Sequence, residues 1–129
     1  VALGAAALGG TPDRRARWQA AVLGRWAHAA LRVLGVRVRA DGAAPRPPFL
    51  LVANHLGYLD VLVLAAHTGA RFVTKRDLRA HPAAGALCEA AGTLFVDRRS
   101  LRDARAAGAR VEAAVAEGGG VVVFPEGTS

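Results

Sequence analysis

The sequence predicts an α/β fold: a mostly parallel sheet with helices on both faces, preceded by a basic amphipathic helix. Three observations predict it. Over residues 36–129, short apolar runs of strand length alternate with longer segments of helical period, the pattern of successive βα units. Phe49-Leu50-Leu51-Val52-Ala53 is apolar throughout, as a strand covered on both faces requires. Ahead of these, residues 11–34 carry apolar positions at helical spacing.

Taken in order, Thr11-Pro12-Asp13 supplies an N-cap, a first-turn proline and an early acid, so a helix starts there. It runs to Leu34, with Gly35 as its stop. At about 100° per residue, Trp18, Val22, Trp26, Ala29 and Val33 share one arc. Arg14, Arg17, Arg25 and Arg32 share another, with His28 beside them. Such a helix suits a membrane interface; it equally suits packing on its own domain with the arginines solvated. Val36–Ala40 reads as a short strand and 41–48 as a turn-rich connection. Tyr58–His67 reads as a helix, Arg71–Thr74 as a strand, Pro82–Ala91 as a helix and Thr93–Val96 as a strand. Ser100 caps the next helix, with Asp103 placed to return the bond. Leu101, Ala104, Gly108, Val111 and Val115 are its expected buried stripe. Gly118-Gly119-Gly120 ends it, and Val121–Phe124 is the last strand. The chain thus divides into a helical, membrane-associating segment at 1–35 and the beginning of an α/β domain at 36–129.

Bulk properties bound the function. With 129 residues, 53% of them apolar, the chain is one domain or part of one, and wholesale disorder is excluded. Residues 1–48 hold eight arginines against Asp13 and Asp41, whereas residues 49–129 are nearly balanced, so the basic excess belongs to the N-terminal third. The one cysteine, Cys88, excludes an intrachain disulfide, fits a reducing compartment, and reads as a small apolar helix residue. No run reaches the roughly 18 apolar residues that cross a bilayer. Val1–Gly10 is apolar but short, resembling the tail of a longer upstream segment, and no charged n-region of a signal peptide precedes it. A start at Val1 and a stop just after a motif-like turn suggest a longer parent protein with an incomplete sheet here.

The chemistry gathers at three strand ends. In Asn54-His55-Leu56-Gly57-Tyr58-Leu59-Asp60 a histidine precedes an aspartate by five positions. Histidine takes a proton near neutral pH, and a carboxylate on its other ring nitrogen fixes the tautomer and stabilises the imidazolium. His55 follows a buried strand, at the carboxyl edge where open α/β sheets hold ligands. The bland alternative has Asp60 serving the helix N-terminus and His55 a turn. Arg98 follows the strand ending at Val96-Asp97 and suits bidentate phosphate binding; Arg99 and Arg102 either reinforce it or are solvated. Glu126, after Phe124-Pro125, suits orienting an arginine or a hydroxyl, with the Gly127 and Thr128 amides open to an anionic oxygen. His67 and His81 lack acidic or cysteine partners at metal-ligand spacing and read as structural. No G-x-S-x-G elbow supplies a nucleophile, so the base would act directly on a substrate hydroxyl.

Together, N-H-L-G-Y-L-D, G-T-L-F-V-D-R and F-P-E-G-T-S, in this order, resemble the first three motifs of the glycerolipid acyltransferases, the 1-acyl-glycerol-3-phosphate acyltransferases and related bacterial lysophospholipid acyltransferases. The resemblance spans about Trp18 to Ser129 and stops before the family's fourth motif. It implies transfer of a fatty acyl chain from an acyl carrier protein or coenzyme A thioester to a lysolipid hydroxyl, with no bound cofactor, no metal and no nucleic-acid partner. It implies His55 as base, Asp60 as its partner, and Arg98, Glu126 and Gly127 in an acceptor-phosphate site. Lys75, in Lys-Arg-Asp-Leu, is a further candidate for that site. The leading expectation is lysophosphatidic acid as acceptor, giving phosphatidic acid at the cytoplasmic face of a bacterial membrane. The runner-up is another lysophospholipid or an amino-acid-based lysolipid. A non-enzymatic basic module for nucleic acid or anionic membrane is a third reading, supported by the N-terminal charge and Trp18/Trp26. Against it, the acid–base residues lie at the sheet's edge.

Overall fold

The computed structural model describes residues 12–54 and 56–125. The expected Thr11 cap lies outside them. In chain order the elements are α1 (Pro12–Val33), β1 (Phe49–Val52), α2 (Tyr58–Thr68), β2 (Arg71–Lys75), a 3-10 turn (Arg76–Ala80), α3 (Pro82–Ala90), β3 (Leu94–Val96), α4 (Leu101–Ala116) and β4 (Gly120–Val123). The strands form one sheet in the order β1-β4-β2-β3, and all three pairings are parallel. Leu51 pairs with Val122 of β4, which in turn pairs with Phe72 of β2.

The connections β1-α2-β2 and β2-α3-β3 step one way across the sheet, and β3-α4-β4 steps back. Parallel crossovers keep one hand, so the reversal sends α4 to the opposite face. On the first face Phe72, Val122 and Phe124 pack with Leu23 and Ala27 of α1 and Ala65 of α2. On the other, α4 lies against β3 and β4. Central β4 is sealed from both sides, Val121 and Val122 being wholly buried; burial of each contributes about 2 kcal/mol.

The Phe49–Ala53 run does not behave as a doubly covered strand. Leu50 and Val52 are 55% and 61% exposed, because among the described residues β1 is an edge strand beyond the reach of α4. Its inward residues, Phe49 and Leu51, join the core. The strand expected at Val36–Ala40 is absent: the stretch pairs with no strand and is mostly exposed. Val36 instead closes α1, donating its N–H to the Leu31 carbonyl while Gly35, at φ 69°, donates to Arg32, a Schellman stop. The predicted stripe of α4 is also rotated. Ala107 and Ala114 are buried, whereas Leu101, Ala104 and Gly108 are exposed. Two alanines seven residues apart let the helix lie closer to the sheet than a line containing leucine would.

Helix α1 docks through a face that the arc of tryptophans does not include. Ala16, Gln19, Leu23, Ala27 and Leu31 are buried; Trp26 and Val33 are exposed. Its close partner is α2, which it meets antiparallel: Ala20 faces Gly69, and Gly24 faces the Ala65 and Ala66 carbonyls. Gly69 ends α2 at φ 61°, and a Cβ there would stand 3.0 Å from Ala20 Cβ. Gly69→Ala is therefore expected to destabilise the protein by roughly 1–2 kcal/mol, from the left-handed backbone and the Ala20 contact together. An unchanged urea midpoint would refute this packing.

Candidate active site

All described candidates lie at the carboxyl edge of the sheet. The chain leaves β1 with the Ala53 amide still bonded to the Val123 carbonyl (3.1 Å), then turns into α2. Asp60 sits in the first turn of that helix, and its Oδ2 accepts the amides of Leu56 (2.6 Å) and Gly57 (2.8 Å). Gly57 has no side chain to cap the helix, so the carboxylate performs that task from within, where the helix dipole also favours it. The carboxylate is thereby locked against the Leu56 and Gly57 amides, its rotamer set in advance. His55 lies outside the described residues, as do Glu126 and Gly127.

Lys75 ends β2 and is the register partner of Val96 in β3. It lines a cavity of about 220 Å³ together with Arg76, Asp77, Val96, Asp97, Arg98 and Arg99. The fold thus brings Lys75 and Arg98 together, although 22 residues separate them in the chain. It does not place Arg98 on a strand neighbouring the Asp60 turn. β1 and β3 are the two edges, three strand spacings or about 14 Å apart, with the ends of β4 and β2 between them. A site that united the Asp60 turn with the Lys75–Arg98 cavity would be a trough across this edge of the sheet. A larger cavity, about 430 Å³, lies at the opposite, amino edge among Arg15, Gln19, Arg71, Glu89, Gly92, Thr93 and Glu117, away from every described candidate residue.

Arg98 is held by a turn. Ser100 donates its amide to the Asp97 carbonyl (3.3 Å), and Asp97 Oδ1 accepts the Arg99 amide (3.0 Å). Ser100 Oγ accepts the Asp103 amide (3.2 Å), the cap expected for α4. The return bond expected of Asp103 is not made to Ser100. Its Oδ2 takes the Asp97 amide instead, and its Oδ1 takes Arg76 Nη2 at 2.9 Å. Arg76 carried no local signal in the sequence; only the pairing of β2 with β3 brings it to Asp103. Arg99 reaches Asp77 at 3.3 Å on the exposed rim, and Arg102 is exposed. His67 bonds through Nδ1 with the Val63 carbonyl, and His81 Nδ1 accepts the Ala84 amide at the start of α3; both serve their helices. Half-buried Cys88 keeps its proton, because burial raises its pKa more than a bond with Thr93 lowers it.

The acyltransferase family model matches residues 35–129. The chain belongs to the acyltransferase family. It is 43% identical over 108 residues to a lyso-ornithine lipid O-acyltransferase of Pseudomonas aeruginosa, covering 83% of this chain and 42% of that protein. It is 37% identical over 105 residues to a lyso-ornithine lipid O-acyltransferase of Rhizobium meliloti, covering 81% of this chain and 36% of that one. The chain therefore spans less than half the length of these relatives. Among solved structures, the 1-acyl-sn-glycerophosphate (LPA) acyltransferase PlsC from Thermotoga maritima superposes with a TM-score of 0.69 at 23% identity, over 89% of this chain and 47% of that one. That likeness establishes the shared α/β fold.

Asp103 gives the site a pH signature. The Asp97 amide holds its carboxyl below the ordinary carboxylate range; burial opposes this, and the Arg76 and Arg110 charges add to it. A lowered folded pKa stabilises the protein fully above the unfolded value, about 4. That contribution is lost as pH falls through the folded value. Urea midpoints of the wild type should therefore drop below about pH 4 more steeply than those of Asp103→Asn; superimposable pH profiles would overturn the assignment.

Proposed function

We propose that the protein transfers a fatty acyl group from an acyl-thioester, on coenzyme A or an acyl carrier protein, to the free hydroxyl of a lysolipid. The observation that carries the reading is the shared carboxyl edge. One end holds the Asp60 turn and the other holds the cationic cavity of Lys75 and Arg98, in a chain of the acyltransferase family. In this scheme His55 removes the acceptor's hydroxyl proton as its oxygen attacks the thioester carbonyl. Asp60 orients the imidazole and stabilises its charge. The tetrahedral intermediate collapses with loss of thiolate, which takes the proton from the imidazolium. No acyl-enzyme forms. Lys75, Arg98, Glu126 and Gly127 belong to acceptor binding.

For the acceptor, the two curated relatives favour an amino-acid lysolipid of the lyso-ornithine type. The mixed lining of the cavity, with Lys75 and Arg98 beside Asp77 and Asp97, suits a headgroup bearing both charges. The cations alone favour the second reading, lysophosphatidic acid. Turnover of a lysolipid panel by the full-length enzyme decides between them: preference for lyso-ornithine lipid is expected, and preference for lysophosphatidic acid would reverse the order. His55→Ala should abolish transfer while leaving liposome binding intact, and retained turnover would rule out the proposed base.

Membrane association is the second part of the proposal. No helix among the described residues is long and apolar enough to cross a bilayer. The exposed Trp26 and Val33 of α1, flanked by exposed Arg25 and Arg32, suit shallow insertion at an anionic surface. A cytoplasmic-face location fits the thioester donors. Replacing Arg14, Arg17, Arg25 and Arg32 by Glu should weaken binding to anionic liposomes by at least tenfold, at roughly 1 kcal/mol per charge. Equal binding would remove α1 from this role.

A further inference from the structure

One carboxylate joins the two strand ends that carry the acceptor-binding cations. Asp103 lies in the first turn of α4, its side chain 19% exposed. With one oxygen it accepts the Asp97 amide, the first residue of the turn that presents Arg98. With the other it holds Arg76, the residue after Lys75. Arg110, about two helical turns on, approaches the same oxygen at 3.9 Å. A helix cap needs only the bond between Ser100 Oγ and the Asp103 amide, which is present independently. The carboxylate's two hydrogen bonds both lead away from the cap, towards the ends of β2 and β3.

We propose that Asp103 is a positioning residue for acceptor binding, a clamp that sets the separation and direction of Lys75 and Arg98 by tying the Asp97–Ser100 turn to Arg76. The proposal rests on the lysolipid acyl-transfer reading and deepens it. Two cations recognise one headgroup only at a fixed spacing; Lys75 sits on the last ladder pair, opposite Val96, and Arg98 lies two residues beyond it, outside the ladder. Charge-assisted bonds from a partly buried carboxylate are the stiffest tie available there. Losing the clamp lets the cations drift, and a displacement of an ångström at such contacts costs binding. The reacting hydroxyl and the thioester meet at the other end of the trough, so the chemical step is left alone.

The test is steady-state kinetics of the full-length enzyme, varying lysolipid and acyl-thioester separately. Asp103→Asn should raise the acceptor KM roughly 10- to 100-fold, with the donor KM and kcat within about twofold. Asp103→Glu should recover part of the loss, and Arg76→Ala should shift the acceptor KM in the same direction. Ser100→Ala, which removes the cap without touching the clamp, should lower the melting temperature and leave the acceptor KM unchanged. If Asp103→Asn leaves the acceptor KM unmoved, or changes both KM values and kcat alike, or if Ser100→Ala reproduces its effect, the clamp is refuted. A wild type inactive on every lysolipid would instead refute the acyl-transfer reading beneath it.

Discussion

Insertion of β4 between β1 and β2 is the constraint on which the rest of the structure depends. The last strand in the described chain becomes an inner strand of the sheet, pairing on one side with a segment some seventy residues earlier. Without it, β1 would have no partner among the described strands, and α1 and α2 would lose Val122 from the surface they cover. A polar residue is excluded from its centre, since Val121 and Val122 are buried from both faces. This insertion also reverses the direction of crossover, and it sets the ends of β4 and β2 between the Asp60 turn and the cavity of Lys75 and Arg98.

Two of the described candidates, Asp60 and Arg98, are held through bonds to the backbone. Asp60 is held by the amides of the turn it follows, and the Arg98 turn by its own carbonyl and by two carboxylates. Such bonds cost little entropy at the moment of binding, because the side chains are already ordered by secondary structure. The structure thereby dissolves an opposition raised by the sequence: a carboxylate that serves its helix N-terminus is not thereby excluded from serving a histidine. In the proposed scheme the first task would position it for the second.

The first helix joins two surfaces. Its small residues let it lie on α2, with Ala20 and Gly24 against Gly69 and Ala65. Its larger apolar residues face outward beside arginines. A helix with only two faces would have to choose between core and lipid. Here about 120° separates the two apolar arcs, so docking on α2 leaves the second arc open to the proposed membrane contact.

Much was legible in the sequence because it depends on local rules. Alternating apolar runs, the Ser100 cap, the glycine stops and the order of the motifs followed from period and turn chemistry, and the parallel α/β class followed from them. Local rules could not give strand order, and so could not tell that β1 is an edge with Leu50 and Val52 uncovered. They could not place Arg98 at the far edge from Asp60, or bring Lys75 into its cavity. The face that α1 buries and the rotation of α4 depend on which side chains fit a particular neighbour at close range, a property of pairs of surfaces. Arg76 and Asp103 show this most plainly: 27 residues apart in the chain, they meet because β2 and β3 pair, and only tertiary structure decides that.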